Sequence, residues 1–290
     1  MTGVAVSGEQ AVPRVRGRRR RRIPLLQLFC LAVVGVVVLA ALLGSQITPH
    51  DPSALNLLLS TSNPSAGHWF GTDTLGRDIF SRVVIGSRTA LMGPALVAVG
   101  AMLVGNIFGT IAGYYGGAVD AWIMRCVDLM WSVPGLLVAI VVVGVIGGGY
   151  WIAVSVLIVL TAPWDVRLIR GATLEQRPRA YVEAVRALGL PARSVMFKHI
   201  WPNVLPVIVA NTFLAFAQAL VSLAALSFLG LGVPPGTADW GVMLSENRAL
   251  LYHDPVAALA PGVAIVLVAT AMNLLGDWAY ELLADRGRAR

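Results

Sequence analysis

Six long apolar runs alternate with polar stretches along the chain, at about Leu25–Gly44, Thr89–Ala112, Ala121–Ile146, Tyr150–Ile169, Val204–Leu229 and Val256–Leu283. Each is near or above the roughly 18–20 residues whose helix crosses a bilayer. The pattern predicts an all-α fold, a polytopic membrane protein with six transmembrane helices. Two connections are tight, Gly113–Asp120 and Gly147–Gly149. Three are long, at 45–88, 170–203 and 230–255.

Composition agrees. Hydrophobic residues make up 57% of the 290 and charged residues 13%, about half the charged share of a soluble domain. A soluble enzyme and a disordered chain are both excluded. The net charge of +7 matters through its distribution: seven arginines lie between Arg14 and Arg22, directly before the first apolar run. Basic residues beside a span mark its cytoplasmic side, so the expected partner of this tract is membrane lipid and not nucleic acid. The run looks too long for the core of a signal peptide, and Ser45-Gln46-Ile47 is no small-x-small cleavage site.

With the arginine tract inside, six spans place 45–88, Gly147–Gly149 and 230–255 outside. The 170–203 loop and both termini fall in the cytoplasm. The loop carries Arg170, Arg177, Arg179, Arg186, Arg193 and Lys198, and the tail carries Arg286, Arg288 and Arg290, so the basic residues gather on the expected inner side. The expected organisation is a cytoplasmic Arg-rich segment (1–24), a first transmembrane helix (25–44), an external segment (45–88) and a core of five further helices (89–285) that contains the 170–203 loop.

Few residue clusters announce chemistry. Cys30 and Cys126 sit in apolar stretches, with no expected disulfide. His50, His68, His199 and His253 are scattered, and no metal-ligand spacing is present. Gly105, Gly109 and Gly113 recur every four residues, on one helix face where backbones approach closely. Ionisable residues inside spans are functional candidates first: Arg125 with Asp128, spaced to pair; Asp165 and Arg167; Asp277 and Glu281. Their shared depth favours anchoring or inter-helix pairing over substrate contact. Asn211, Gln218 and Ser222 share a face, as a pore-lining stripe or as inter-helix hydrogen bonds.

The 170–203 loop is too polar to span and too patterned to be a linker. Pro178 suits a helix start and Gly189 its C-terminal cap. Between them Tyr181, Ala184, Val185 and Leu188 form one apolar face, with Glu183 opposite and able to pair with Arg179 or Arg186. A second helix is expected from Pro191 to Ile200, closed by Pro202.

Glu183-Ala184-Val185, Gly189 and His199-Ile200-Trp201-Pro202 resemble the EAA loop of bacterial ABC-importer permeases, with Val185 and Trp201 as the departures. The 71–78 stretch (Gly71, Asp73, Gly76, Arg77, Asp78) with Ser81-Arg82 is similar to the signature of the C-type permease in oligopeptide, dipeptide and nickel importers. So are Gly113–Gly117, Leu226–Gly232, Asp239-Trp240-Gly241 and Asn273–Asp277. The resemblance covers roughly 25–285. It implies a type I importer permease fold in a bacterial plasma (inner) membrane. It also implies a second, homologous B-type permease subunit, one or two ABC ATPase subunits and an extracytoplasmic substrate-binding protein that delivers peptides. The 181–202 residues would couple to the ATPase. The length and mixed composition of 45–88 suit a folded element that shapes the external mouth and meets the binding protein or the partner permease, with Arg77 and Asp78 fixing its fold by charge-assisted hydrogen bonds.

The chain has no Walker A loop, since its one lysine, Lys198, lies in Phe197-Lys198-His199. HExxH and GxSxG are also absent. The expectation is a non-catalytic subunit without a cofactor or metal of its own, ATP and Mg being bound by the partner ATPases. The alternatives are import of nickel or another small solute, a membrane scaffold, or an ion-driven secondary transporter. Against the last stands the lack of an inverted repeat or an interrupted helix pair.

Overall fold

A computed structural model describes residues 24–288, and within them the chain is helical, with no β-strand and only an isolated bridge between Thr72 and Asp78. All but the last residue of the Arg-rich segment 1–24 lies outside the described residues. The helices are α1 (Leu25–Ile47), α2 (Ile79–Tyr115), α3 (Gly117–Trp131), α4 (Gly135–Ile146), α5 (Tyr150–Gln176), α6 (Ala180–Ala187), α7 (Ala192–Ser194), α8 (Trp201–Phe228), α9 (Trp240–Asn247) and α10 (Pro255–Arg288). Five stretches are long and apolar enough to cross a membrane singly: α1, α2, α5, the run Ala192–Phe228 that ends in α8, and α10.

The expected single span Ala121–Ile146 is corrected. It breaks between Trp131 and Gly135, and α3 and α4 meet at 75°. Pro134 has no N–H to donate and pushes the preceding residue out of helical geometry. With 15 and 12 residues, α3 and α4 extend only about 22 and 18 Å, short of a roughly 30 Å hydrocarbon core. The six expected spans are therefore five helices and one bent pair, so the expected absence of an interrupted helix pair does not hold.

Helix α2 begins ten residues before the apolar run at Thr89, because the Asp78 carboxylate accepts from Ser81 N–H (2.8 Å) and caps it. At 37 residues it extends about 55 Å, so its polar ends project beyond the apolar layer. The 45–88 segment is thus a folded stretch of turns, with a short 3-10 helix at Leu57–Leu59, followed by the first turns of α2.

Helices α2 and α5 form the central pair. The glycine stripe makes their approach possible: a Cβ on Gly105 would meet Asp165, one on Gly109 would lie 2.7 Å from the Val166 carbonyl oxygen, and one on Gly113 would lie 2.7 Å from Thr173 Cβ. Buried Val97, Val143, Ala153, Val154, Leu157, Leu223 and Leu226 join α2, α4, α5 and α8. On the other side, α1 touches the bundle through Cys30, packed with Ala271 and Leu275 of α10, and through Gly44 beside Val84 and Ile85. Most other α1 side chains, and Val141 and Val145 of α4, are exposed, on surfaces that lipid or a second subunit would cover.

This packing yields a sign test. In an open helical position, Gly→Ala stabilises by about 1 kcal/mol. Gly171→Ala, where nothing lies within 4 Å of the added Cβ, is expected to raise the thermal midpoint. Gly109→Ala is expected to lower it, because overpacking costs about 1–3 kcal/mol. Thermal unfolding of the two variants in detergent checks the prediction, and equal shifts would contradict close packing of α2 on α5.

Candidate functional site

The bundle has two elaborated ends. At one, α6 and α7 sit under the ends of α2, α5 and α8. At the other, residues 48–78 fold against 230–254.

At the first end α6 terminates as a Schellman cap. Gly189 adopts φ +76, its N–H donates to the Arg186 carbonyl (2.9 Å), and Leu190 N–H donates to the Val185 carbonyl (3.3 Å). Val182 is fully buried and Val185 partly so, in a cluster with Ile169, Val195, Ile200, Val204 and Ile208. Arg186 lies over the Tyr114 ring, 4.6 Å from its centroid, and Trp201 Nε1 donates to Asn106 Oδ1 (3.0 Å). Tyr181 Oη donates to Gln176 Oε1 (3.0 Å) and accepts from Asn203 Nδ2 (3.2 Å). Partial burial pushes the Tyr181 hydroxyl up from its ordinary value, partly opposed by the hydrogen bond from Asn203.

The face of Tyr181, Ala184, Val185 and Leu188 divides between the bundle and solvent, and two other expectations for this loop are corrected. Val185 turns inward, Tyr181 lies at the edge with its hydroxyl tied to Gln176 and Asn203, and Glu183, Ala184 and Leu188 (77% exposed) point away from the bundle. The helical period allows two overlapping stripes, and the one through Val182 wins because it reaches the ends of α5 and α8. Glu183 forms no ion pair among the described residues; Arg179 pairs with Glu175 instead (2.9 Å). Pro202 does not end a helix. The chain runs from α7 through a wide π turn at Val195–Ile200 into α8, and Pro202 falls in the first turn of α8, where a missing N–H costs nothing. His199 is half-buried beside it.

The ionisable pairs also differ. Asp128 pairs with Arg167 of α5 (2.7 Å) and not with Arg125, which is exposed. Arg167 also lies over the Trp131 ring, and Arg170 grips Asp120 with two donors. These contacts hold α3 on α5. Asp165 is fully buried and accepts from Asn211 Nδ2, and Asn211 Oδ1 accepts from Trp164 Nε1 (3.1 Å). Asn211, Asn273, Asp277, Tyr280 and Trp164 line a cavity of about 340 Å³ between α5, α8 and α10. Gln218 is exposed and Ser222 half-buried, so of these three residues Asn211 alone lines that cavity.

At the opposite end two arginines are buried. Arg77 Nε donates to Asp73 Oδ2 (2.5 Å) and Nη2 to Glu246 Oε2 (2.7 Å). Arg82 donates to the same Glu246 oxygen (3.0 Å) and to the carbonyls of Gly236 (3.1 Å) and Thr237 (3.2 Å). Asp73 Oδ1 accepts from the N–H groups of Leu75 and Arg77, both at 2.9 Å. Two cations thus face two anions, and residues some 160 positions apart are tied together. Gly76, at φ +72, leaves no room for a side chain: a Cβ would lie 1.8 Å from the Asn56 carbonyl oxygen. Gly71, at φ +74, is closed off likewise by Asp254 and Ser62. Asp239 caps α9 through Gly241 N–H (3.0 Å) and accepts from Thr89 Oγ1 (2.8 Å). Glu246 went unnoticed in the sequence, where it is one acid among neighbours that share no motif. The histidines also need correction: His50 and His68, read as scattered, stack with ring centroids 4.5 Å apart.

Residues 105–288, from the middle of α2 to the end of α10, match the family model of the binding-protein-dependent transport system inner membrane component. The chain belongs to this family. The permease is 36% identical over 258 residues to the dipeptide transport system permease protein DppC of Alkalihalophilus pseudofirmus, covering 87% of this chain and 85% of that protein. It is 39% identical over 220 residues to the glutathione transport system permease protein GsiD of Pectobacterium atrosepticum, covering 76% and 73%. It is 35% identical over 253 residues to the probable D,D-dipeptide transport system permease protein DdpC of Escherichia coli, covering 87% and 85%. Its fold is similar to a chain of the inward-facing MetNI methionine ABC transporter, with TM-score 0.58 and 20% identity over 70% of this chain and 96% of that one. The permease therefore has the ABC-importer permease fold and is a multi-pass inner-membrane component of such an importer.

Proposed function

We propose that this permease forms half of the translocation pathway of an ATP-driven peptide importer, with the other half supplied by a second, homologous permease subunit. Relatives named for dipeptide and glutathione transport support peptides as the substrate class. The observation that carries the mechanism is the outward face of Ala184 and Leu188, edged by the half-covered Tyr181 ring, on a helix whose other face is locked to the bundle. A short rigid helix, buried on one side and apolar on the other, suits the groove of a partner protein. That partner is one of two ATPase subunits, which bind ATP and Mg and perform the hydrolysis; this chain is non-catalytic.

A push on α6 passes through Val182 and Val185 to the ends of α5 and α8, and through Arg186 and Tyr114 to α2. The bundle then alternates between outward and inward access. A substrate-loaded binding protein docks at the opposite end, on the surface built by 48–78 and 230–254. The membrane is the bacterial inner membrane, with both termini and the 170–203 loop in the cytoplasm.

Reconstitution tests the reading. The permease with its ATPases, second permease and binding protein should take up a labelled dipeptide only with ATP. Uptake driven by an ion gradient without ATPase subunits would contradict it. Topology has a separate check in a Cys126→Ser background, since Cys30 is buried. Ser65 and Arg193 are both exposed on the chain. Ser65→Cys should react with an impermeant thiol reagent on intact cells, and Arg193→Cys only after the membrane is opened. The reverse pattern would invert the orientation.

A further inference from the structure

Three side chains before and at the start of α2 converge although 18 and 10 positions separate them in turn: His50, His68 and Asp78. Each offers one ligand atom, and these atoms lie within 4.8 Å of one another. His68 Nδ1 is 2.9 Å from Asp78 Oδ1. The second Asp78 oxygen caps α2, and His50 N–H donates to Ser81 Oγ (3.4 Å) in the first turn of that helix. Asp78 is buried, His68 partly buried and His50 exposed, so the cluster opens to solvent on one side.

The charge balance of this corner is uneven. Arg77 and Arg82 are committed to Asp73 and Glu246. Among the described residues the buried Asp78 carboxylate has only His68 as an ion-pair partner. A buried anion of this kind favours a cation beside it. The two imidazoles stack with centroids 4.5 Å apart, and because their lone pairs lie in the ring planes, the exposed His50 ring would turn for both to meet one ion. Two imidazoles and one carboxylate suit zinc, nickel or copper, and do not suit magnesium or calcium, which prefer all-oxygen sites. Metal–ligand bonds of about 2.0–2.2 Å in tetrahedral geometry would need atoms up to 4.8 Å apart to close by about 1.2–1.5 Å, a movement that the exposed His50 ring would supply.

We propose that His50, His68 and Asp78 form a binding site for a divalent transition-metal ion of the zinc and nickel class, with an open coordination position toward solvent. The ion would staple the stretch after α1, the 48–78 segment and the first turn of α2.

The test uses the full chain, purified in detergent on an affinity tag without histidine. Zinc is titrated against a fluorescent chelator in excess magnesium. One zinc per chain is expected to bind, and magnesium is expected not to displace it. His50→Gln and His68→Gln are each expected to weaken binding at least tenfold, and zinc should raise the thermal midpoint of the unmodified chain only. Asp78 is left intact because it caps α2. His50→Gln alters an exposed ring, so that variant should keep the ion-free thermal midpoint. Absence of a saturable zinc site, or unchanged zinc affinity in both variants, would overturn the proposal.

Discussion

Arg77→Ala is expected to open the segment 48–78 and abolish the response to the binding protein. The guanidinium is almost fully buried and holds Asp73 and Glu246. Its removal leaves Arg82 alone against two anions. Breaking a buried pair by deleting one partner costs about 3–5 kcal/mol. Glu246 is partly exposed, which favours the lower end of that range. At about 1.4 kcal/mol per factor of ten, the open form should become at least roughly a hundredfold more populated. Limited proteolysis with a non-specific protease reads that population directly when reclosing is fast. Cleavage within 48–78 should accelerate accordingly, while basal ATP hydrolysis by the assembled complex survives because α6 is distant. Arg77→Lys should recover only part of the effect, since a lysine lacks the planar fork that reaches two carboxylates at once. Equal cleavage rates for Arg77→Ala and the unmodified chain would show that this network does not hold the surface together.

The second large effect is expected at the end of α6. Gly189→Val forces a β-branched residue to φ +76, where an L-residue pays roughly 1–2 kcal/mol or more. Nothing lies within 4 Å of the added Cβ, so the loss is purely conformational. Helix α6 has eight residues and no length in reserve, so its last turn should unwind and carry Leu188 out of place. Uptake is expected to fall below about a tenth, in line with that energy. Gly189→Asn should retain most of it, because asparagine tolerates the left-handed region. Leu188→Asp separates docking from folding. The side chain is largely exposed, so the thermal midpoint of the chain should stay put while copurification of the ATPase subunits and uptake are lost. Full uptake in both Gly189→Val and Leu188→Asp would remove α6 from the coupling path.

Much of this molecule is legible in one dimension because hydrocarbon imposes one-dimensional rules. A helix that crosses a bilayer needs some twenty apolar residues in a row, and such runs stand out in any sequence. The left-handed cap at Gly189 is equally local, since glycine alone combines that conformation with the end of a short helix at no steric cost. The glycine stripe of α2 announces a close approach, and α5 is the helix that meets it. Pro134 is visible too, but hydropathy sums over direction. Only the folded chain shows that Ala121–Ile146 turns through 75°.

What the tertiary structure decides is partnership. The sequence places Glu246 far from Arg77 and Arg82, and nothing local distinguishes a paired Glu246 from a solvated one; the fold brings them within hydrogen-bond distance. Asp128 has Arg125 three positions away and yet pairs with Arg167, because α3 leans on α5. The face of α6 is another such choice. Two stripes fit the same helical period, and the one through Val182 is buried because the ends of α5 and α8 lie beneath it. The same holds for His50 and His68, isolated in the sequence and stacked in space. The position of the apolar runs and the left-handed turn at Gly189 are set over a few residues, so the sequence alone determines them. Charge pairs, buried faces and side-chain clusters depend on distances between helices, and those distances exist only once the bundle has closed.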